Sequence, residues 1–282
     1  MITVIIPIYN EQKAIRETLN QVKNTMSGKD FEIICVNDGS KDQSLKILNS
    51  ISDITIINHP YNMGYGASLK SGIKKANGEW ILITDADGTY PIKDIPKLLK
   101  YTDKYDMVVG SRVGKNVNIP FLRRPAKFFL NTLASMLSPV KVPDLNSGLR
   151  VFKKSIAFEF MNLFPSGFSF TSTITLACLS NDYTVKYVPI NYYHRKGNST
   201  INPIKDFIGF TTLIFKVIMY FKPLRFFLLP SLFLLFTGFL FSIYQIIAFK
   251  DIADLSIILI LSGLQIGFIG FIADLIVRSR RK

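Results

Sequence analysis

Two carboxylates one residue apart, Asp85 and Asp87, sit in a stretch that runs Glu79-Trp80-Ile81-Leu82-Ile83-Thr84-Asp85-Ala86-Asp87-Gly88-Thr89-Tyr90-Pro91. Trp80 to Thr84 is apolar and rich in β-branched residues, which predicts a short buried strand. An Asp-x-Asp pair at the end of such a strand can converge on one hard cation. Mg²⁺ or Mn²⁺ takes oxygen ligands and keeps positions open for substrate phosphates. Taken alone, the pair reads more often as an acidic turn, because Asp and Gly are common turn residues. The elements around it decide between the two.

Those elements alternate. Ile2 to Ile8 predicts a strand, followed by the loop Tyr9-Asn10-Glu11 and a helix from about Gln12 to Met26. Phe31 to Val36 is a second strand, ending in the polar turn Asn37-Asp38-Gly39-Ser40. Ser40 or Asp42 can cap a helix over Gln43 to Ser50. Ile54 to Ile57 is a third strand, His59 to Gly66 a loop, and Ala67 to Ala76 a helix that leads to the strand at Trp80. This βαβαβαβ order implies an α/β fold with a mostly parallel sheet. Ligands of such sheets bind beyond the carboxyl ends of the strands, so the loops at Tyr9, Asp38 and Asp85 should open on one edge. Gly64-Tyr65-Gly66 is not a dinucleotide fingerprint: the third glycine would fall at Leu69, and the loop follows the third strand. No phosphate-binding G-x-x-x-x-G-K-S/T occurs.

The 282-residue chain carries a formal net charge of +14. Between 112 and 154 the cations Arg112, Lys115, Arg123, Arg124, Lys127, Lys141, Arg150, Lys153 and Lys154 face a single acid, Asp144. Such a segment suits nucleic acid, anionic lipid or a phosphorylated substrate. No nucleic-acid recognition fold accompanies the charge, which disfavours that partner. Arg123, Arg124 and Lys127 would equally serve to hold anionic headgroups. Cys35 and Cys178 lie in apolar segments and read as reduced core thiols. Met1 to Ile8 has no basic leader and reads as a strand, not as a signal peptide.

Four short motifs, in order, carry a family resemblance. Pro7-Ile8-Tyr9-Asn10-Glu11, Val36-Asn37-Asp38-Gly39-Ser40, Asn62-x-Gly64-x-x-Ala67 and Asp85-Ala86-Asp87 resemble the nucleotide-sugar half of a family 2 glycosyltransferase of GT-A fold. The resemblance implies that Asp38 contacts the nucleoside and that the Pro7, Tyr9, Asn10, Glu11 loop flanks it. It places Asn62 and Gly64 in the same donor site. It also implies that Asp85 and Asp87, with Ala86 between them, hold Mg²⁺ or Mn²⁺ on the donor diphosphate. Glu11 suits a helix N-terminal charge almost as well. His59, before Pro60, reads as structural.

Further on, Ile95 to Tyr101 predicts a helix, Asp106 to Val109 a strand, Phe128 to Leu137 an apolar helix and Val185 to Ile190 a strand. Asp144-Leu145-Asn146-Ser147-Gly148-Leu149-Arg150-Val151-Phe152 resembles the D-x-x-S-G-x-R-x-F element of polyprenyl-phosphate glycosyltransferases. Phe168-Ser169-Phe170-Thr171 and Tyr193-His194-Arg195-Lys196-Gly197-Asn198-Ser199 fit the same group. The group implies that Arg112 and Arg124 hold the lipid phosphate, with Arg123 a rival, and that the Arg195-Lys196 segment closes over the donor phosphates. One departure stands at Thr89. The group often has glutamine there as a third metal contact, and Gly88-Thr89-Tyr90-Pro91 points to another branch.

Phe226 to Phe249 and Leu255 to Ala273 carry no charge, and each approaches the roughly 20 apolar residues that span a bilayer. Lys222 and Arg225 before the first span, and Arg278, Arg280, Arg281 and Lys282 after the second, predict cytoplasmic termini. Pro203 to Phe221 is amphipathic and suits a helix lying in the interface. The expected organisation is a cytoplasmic catalytic domain over 1–201, an interfacial helix over 202–223, and a two-helix hairpin over 224–282 with spans near 226–249 and 255–277. The expected activity is inverting transfer of a hexose from a UDP- or GDP-sugar to a polyprenyl phosphate, undecaprenyl or dolichyl, with Asp87 and Arg112 as catalytic groups. A hydroxyl acceptor would need a base, and Asp144 is the candidate. A processive synthase is disfavoured because Trp80 is the only tryptophan and no Q-x-x-R-W occurs. A non-catalytic scaffold that binds nucleotide sugars is disfavoured by the intact Asp-x-Asp. Two spans make a small bundle, which leaves room for a homo-oligomer.

Overall fold

A computed structural model describes residues 1–113, 142–167, 169–193, 212, 215, 219, 223–251 and 253–279. Its contacts divide the chain into two units, Met1–Ile214 and Phe215–Lys282. The apolar helix expected over Phe128 to Leu137 lies outside the described residues, as does nearly all of the amphipathic 202–223 segment.

The first unit is built on one seven-stranded sheet. Strands β1 (Ile2–Ile8), β2 (Phe31–Asn37), β3 (Thr55–Asn58) and β4 (Trp80–Ile83) are mutually parallel through β1–β2, β2–β3 and β1–β4 pairing. Val4, Ile5, Ile6, Ile33, Ile34, Cys35, Ile81 and Leu82 are buried on both faces of this sheet, as helix-covered parallel strands require. Helix α1 (Ile15–Met26) turns Ile15, Leu19, Val22 and Met26 inward, a spacing that keeps one face of the helix apolar. It starts later than its periodicity predicts. The amides of Ala14 and Ile15 both donate to the Glu11 carbonyl, so the chain forms a turn before the helix runs on. Helices α2 (Ser44–Asn49) and α3 (Tyr65–Lys75) make the next two crossovers.

Beyond β4 come a 3₁₀ turn (Ile92–Asp94), α4 (Ile95–Leu99) and β5 (Met107–Ser111). Then β6 (Arg150–Lys153) reverses direction. It lies between β4 and β5 and is antiparallel to both, giving the order β3-β2-β1-β4-β6-β5-β7. Helix α5 (Lys154–Glu159), α6 (Phe170–Ser180) and β7 (Val185–Pro189), parallel to β5, complete the unit. Every residue of α6 is buried, so it has no polar face and no amphipathic signature in sequence. Cys35 and Cys178 are buried and free, and burial pushes the Cys35 thiol up to about 12.

The second unit contains α7 (Pro223–Phe249, 27 residues) and α8 (Asp254–Ser279, 26 residues). At about 1.5 Å per residue each is roughly 40 Å long, more than the ~30 Å hydrocarbon core of a bilayer. The pair meets through small residues. Ser231 Oγ donates to the Gly263 carbonyl at 2.8 Å. A Cβ on Gly263 would come 2.8 Å from Leu235, and one on Gly270 2.7 Å from Phe227. Close backbone approach of this kind is how helices associate without a hydrophobic drive. Leu229, Phe233, Phe236, Ile247, Phe268 and Leu275 stay exposed, an apolar exterior of the kind a lipid environment would cover.

One polar clamp ties the late strands together. Asp106 Oδ1 accepts from Lys153 Nζ at 2.8 Å, while Oδ2 accepts from Thr184 Oγ1 at 2.7 Å and Thr184 N at 2.9 Å. Partial burial pulls the Asp106 carboxyl upward, but the bonds from Lys153 and Thr184 together hold it below its ordinary value. A depressed carboxyl stabilises the fold above its unfolded value, and that contribution is lost as pH falls through the folded value. We therefore expect Asp106→Asn to lower the melting temperature in detergent at pH 7, with the gap to wild type closing below about pH 4. A gap that stays constant down to pH 3 would contradict the assignment.

Candidate active site

The strand directions bring the described candidate residues to one edge. Strands β1 to β4, β5 and β7 run parallel, so their carboxyl ends share that edge. Because β6 is antiparallel, its leading residues, Asp144 to Leu149, arrive at the same edge.

The loops after β1 and β2 are stitched reciprocally. Asn10 N donates to Ser40 Oγ and Lys41 N to Asn10 Oδ1, at 3.1 and 2.8 Å. Glu11 N donates to Ser44 Oγ at 2.9 Å, and Gln12 N to Asp42 Oδ2 at 3.1 Å. Asn10 adopts φ 58°, a left-handed conformation that Asn tolerates better than most residues. Asn10 is therefore a turn residue as well as a rim residue. Asp42 also accepts from Ser44 N at 2.9 Å beside the start of α2, but the N-cap position falls to Gln43 and not to Ser40 or Asp42.

Asp38 is buried, and its carboxylate organises the next loop. Oδ1 lies 2.7 Å from His59 Nδ1 and accepts from Met63 N at 2.9 Å; Oδ2 accepts from Gly64 N at 2.8 Å. A carboxylate only accepts, so Nδ1 carries the proton, and Nε2 meets Ser71 Oγ at 2.9 Å. Gly64 sits at φ +101°, where a Cβ would come 2.5 Å from the Ser166 carbonyl oxygen. That combination accounts for glycine at this position. Pro7 and Tyr9 are partly exposed and Asn62 is exposed along this rim.

At the end of β4, Asp87 is buried and Asp85 is half-buried. Thr89 grips Asp87: its amide and hydroxyl donate to Oδ1 at 3.0 and 2.6 Å. Tyr65 Oη donates to Asp85 Oδ1 at 3.1 Å. A Cβ on Gly148 would lie 3.0 and 3.1 Å from the Asp85 carboxylate oxygens, so only glycine fits without displacement. Tyr90 Oη accepts from Gly148 N at 2.6 Å and secures that approach. Burial, then the Asp85 charge, raises the Tyr65 phenol well above its usual value, so it stays a donor. Two oxygen donors in a fixed cradle fit a hard cation such as Mg²⁺ or Mn²⁺. Among the described residues no three His, Cys, Asp or Glu side chains cluster as a metal site.

Across β6 sits a second constellation. Asp144 and Arg112 form a bidentate pair: Nε donates to Oδ2 and Nη2 to Oδ1, both at 2.8 Å. The Arg112 amide also donates to Oδ2 at 2.9 Å. Tyr192 places its ring 5.2 Å from the guanidinium carbon and meets Tyr90 edge-on at 5.3 Å. Arg150 is fully buried and donates to the carbonyls of Ser147 and Thr171 and to Thr175 Oγ1. It pins the Asp144 to Gly148 turn onto α6. Tyr65, Thr89, Tyr90, Arg150 and Tyr192 had no assigned role on sequence grounds. Only Arg150 lies in a motif with a stated residue type. Arg123, Arg124, Lys127, Arg195 and Lys196 lie outside the described residues.

The family described as glycosyl transferase family 2 matches residues 3–159, and the GtrB C-terminal hairpin matches residues 222–279. The chain belongs to glycosyl transferase family 2. A dolichyl-phosphate hexose transferase of Haloferax volcanii is 29% identical over 204 residues, covering 72% of this chain and 87% of the relative. An uncharacterized protein of Methanocaldococcus jannaschii is 32% identical over 232 residues, covering 77% and 91%. Glucosyl-3-phosphoglycerate synthase of Mycobacterium tuberculosis, solved with Mn²⁺, UDP and phosphoglyceric acid, superposes with a TM-score of 0.60 at 15% identity, covering 78% of this chain and 77% of that one. At that identity the likeness shows the GT-A fold alone.

The Asp38 arrangement makes a local prediction. Asp38→Ala removes the acceptor of two backbone amides, so amide hydrogen exchange at Met63 and Gly64 should accelerate by at least ~10-fold. Unchanged protection at both amides would show that the loop is held by other contacts.

Proposed function

We propose that the protein transfers a hexose from a nucleoside-diphosphate sugar to a polyprenyl phosphate at the membrane surface. One observation carries the reading. The Asp85/Asp87 carboxylates and the Arg112–Asp144 pair open on the same sheet edge, in a chain that also carries two membrane-length helices. The Haloferax relative, named for dolichyl-phosphate hexose transfer, supports the acceptor class.

Pro7, Tyr9, Asn10, Glu11, Asn62 and Gly64 form the nucleoside rim, with Asp38 fixing the loop after β3. Asp85 and Asp87 hold the cation, aimed by Tyr65 and Thr89. When bound, Mg²⁺ or Mn²⁺ supplies positive charge to the diphosphate that departs; the Mn²⁺- and UDP-bound neighbour supports that choice. The family resemblance gives Arg195 and Lys196 the same role toward the donor phosphates. The acceptor is a phosphate monoester, already an anion near neutral pH, so its needs are positioning and paired charge. Arg112 is the chief contact, and Arg123, Arg124 and Lys127 are further lipid-phosphate contacts that the family resemblance implies. One acceptor oxygen bonds to the anomeric carbon while the bond to the diphosphate oxygen breaks. A single displacement of this kind inverts the anomeric centre.

The charge flanks support a cytoplasmic side for both termini and the catalytic unit. Lys222 precedes α7, Arg225 lies in its first turn and four cations stand among the last five residues, whereas Lys250 and Asp251 lie between the helices and Asp254 opens α8.

The test is a transfer assay in detergent with polyprenyl phosphate and labelled UDP- and GDP-sugars, following label into organic solvent. One donor should give lipid-soluble product in wild type. Asp87→Ala and chelator should each lower turnover by at least ~100-fold, about 2.7 kcal/mol of transition-state stabilisation, without changing the melting temperature by more than a few degrees. No product from any donor, with UDP binding intact, would overturn the reading. Undiminished turnover in Asp87→Ala would remove the cation from Asp87.

A further inference from the structure

We infer that Asp144 is a positioning residue for Arg112 and does not accept a proton from substrate. This rests on the proposed phosphate acceptor and deepens it. Both Asp144 oxygens accept from Arg112: Oδ2 takes its Nε and its backbone amide, and Oδ1 takes Nη2 as well as the Asn146 amide at 3.4 Å. The Asp144 side chain is 1% exposed. A general base must come within hydrogen-bond reach of the proton it removes. Here the carboxylate is buried against the more exposed guanidinium, and protonating it would break a buried bidentate pair.

The same geometry says what the pair does. An arginine has five donors in a planar fork. Asp144 uses the edge formed by Nε and one Nη2 hydrogen. Nη1 makes no bond to Asp144, and it belongs to the edge that a phosphate can take in bidentate fashion together with the second Nη2 hydrogen. Asp144 therefore fixes the plane of the fork, and capture of the Arg112 amide by the same carboxylate fixes the root of the side chain. Tyr192 covers one face of the guanidinium. Its ring also touches Tyr90, whose hydroxyl holds Gly148 against Asp85. The acceptor arginine is thus set in register with the donor carboxylates through a short run of packed groups. An arginine paired on one edge also keeps less positive charge to draw from the attacking oxygen, which preserves its nucleophilicity.

The experiment measures steady-state transfer to undecaprenyl phosphate in detergent for wild type, Asp144→Asn and Tyr192→Leu, with separate UDP binding and melting curves. A positioning role predicts that Asp144→Asn raises the apparent KM for undecaprenyl phosphate by at least 10-fold. The KM for the sugar donor stays within twofold, and kcat at saturating acceptor keeps at least a tenth of its value with the wild-type pH profile. Tyr192→Leu should shift the same KM in the same direction by a smaller factor. A proton-accepting role predicts instead a 1000-fold or greater loss of kcat at saturating acceptor, with the acidic limb of the pH profile gone; that result overturns the inference. Should Asp144→Asn fail to fold, wild type decides. A solvent deuterium isotope effect near 1 on single-turnover transfer supports positioning, and one above 2 overturns it. Wild type that binds UDP but transfers nothing to undecaprenyl phosphate would instead defeat the proposed acceptor itself.

Discussion

The site depends on one reversed strand. In a wholly parallel sheet only strand exits reach the carboxyl edge, and a loop that enters a strand lies at the far side. Strand β6 runs antiparallel between β4 and β5, so the turn that enters it, Asp144 to Leu149, stands beside the exits of both neighbours. Asp85 follows one neighbour and Arg112 the other. The reversal costs a charge in the core, because the first residue of β6 is the fully buried Arg150. Burying a guanidinium is tolerable only when its donors are matched, and here carbonyls of the same turn and of α6 match them. The group that would otherwise be a liability is what holds the turn in shape.

Each of the four candidate carboxylates at this edge is held by neighbouring groups. Asp38 is held by His59 and two amides, Asp85 by Tyr65, Asp87 by Thr89 and Asp144 by Arg112. Hydrogen bonds to an anion favour the charged form and lock its rotamer. Sites built this way reorganise little when a cation or phosphate arrives, and such preorganisation is where most electrostatic catalysis originates. Thr89 shows how a departure from a family pattern is accommodated. A glutamine there could reach a cation, whereas the shorter threonine turns back on Asp87 and fixes its carboxylate.

Much of this was legible in the chain. The alternating apolar runs through Trp80 gave the parallel half of the sheet and its helices, with ends displaced by a few residues where turns such as Glu11 to Ala14 intervene. The Asp-x-Asp pair and the polar turns at Tyr9 and Asp38 stood out because polar residues follow apolar strands. Strand β6 did not, since Arg-Val-Phe-Lys is four residues long and opens on a charge. Helix α6 did not, since burial all round erases periodicity. Tyr65, Tyr90 and Tyr192 were invisible for a different reason: their contacts join residues far apart in sequence, and no local pattern encodes a long-range partner. The two long apolar helices were the easiest features to read, because length and composition, the two requirements of a bilayer span, both stand out in the chain.

The most direct measurement is a structure of the full chain with Mn²⁺, UDP and undecaprenyl phosphate. The account predicts Mn²⁺ on Asp87 and Asp85, the lipid phosphate on the edge of Arg112 that Asp144 leaves open, and the Arg112–Asp144 bonds intact. A lipid phosphate bound away from Arg112, or Asp144 released from the arginine and turned toward the acceptor, would contradict it.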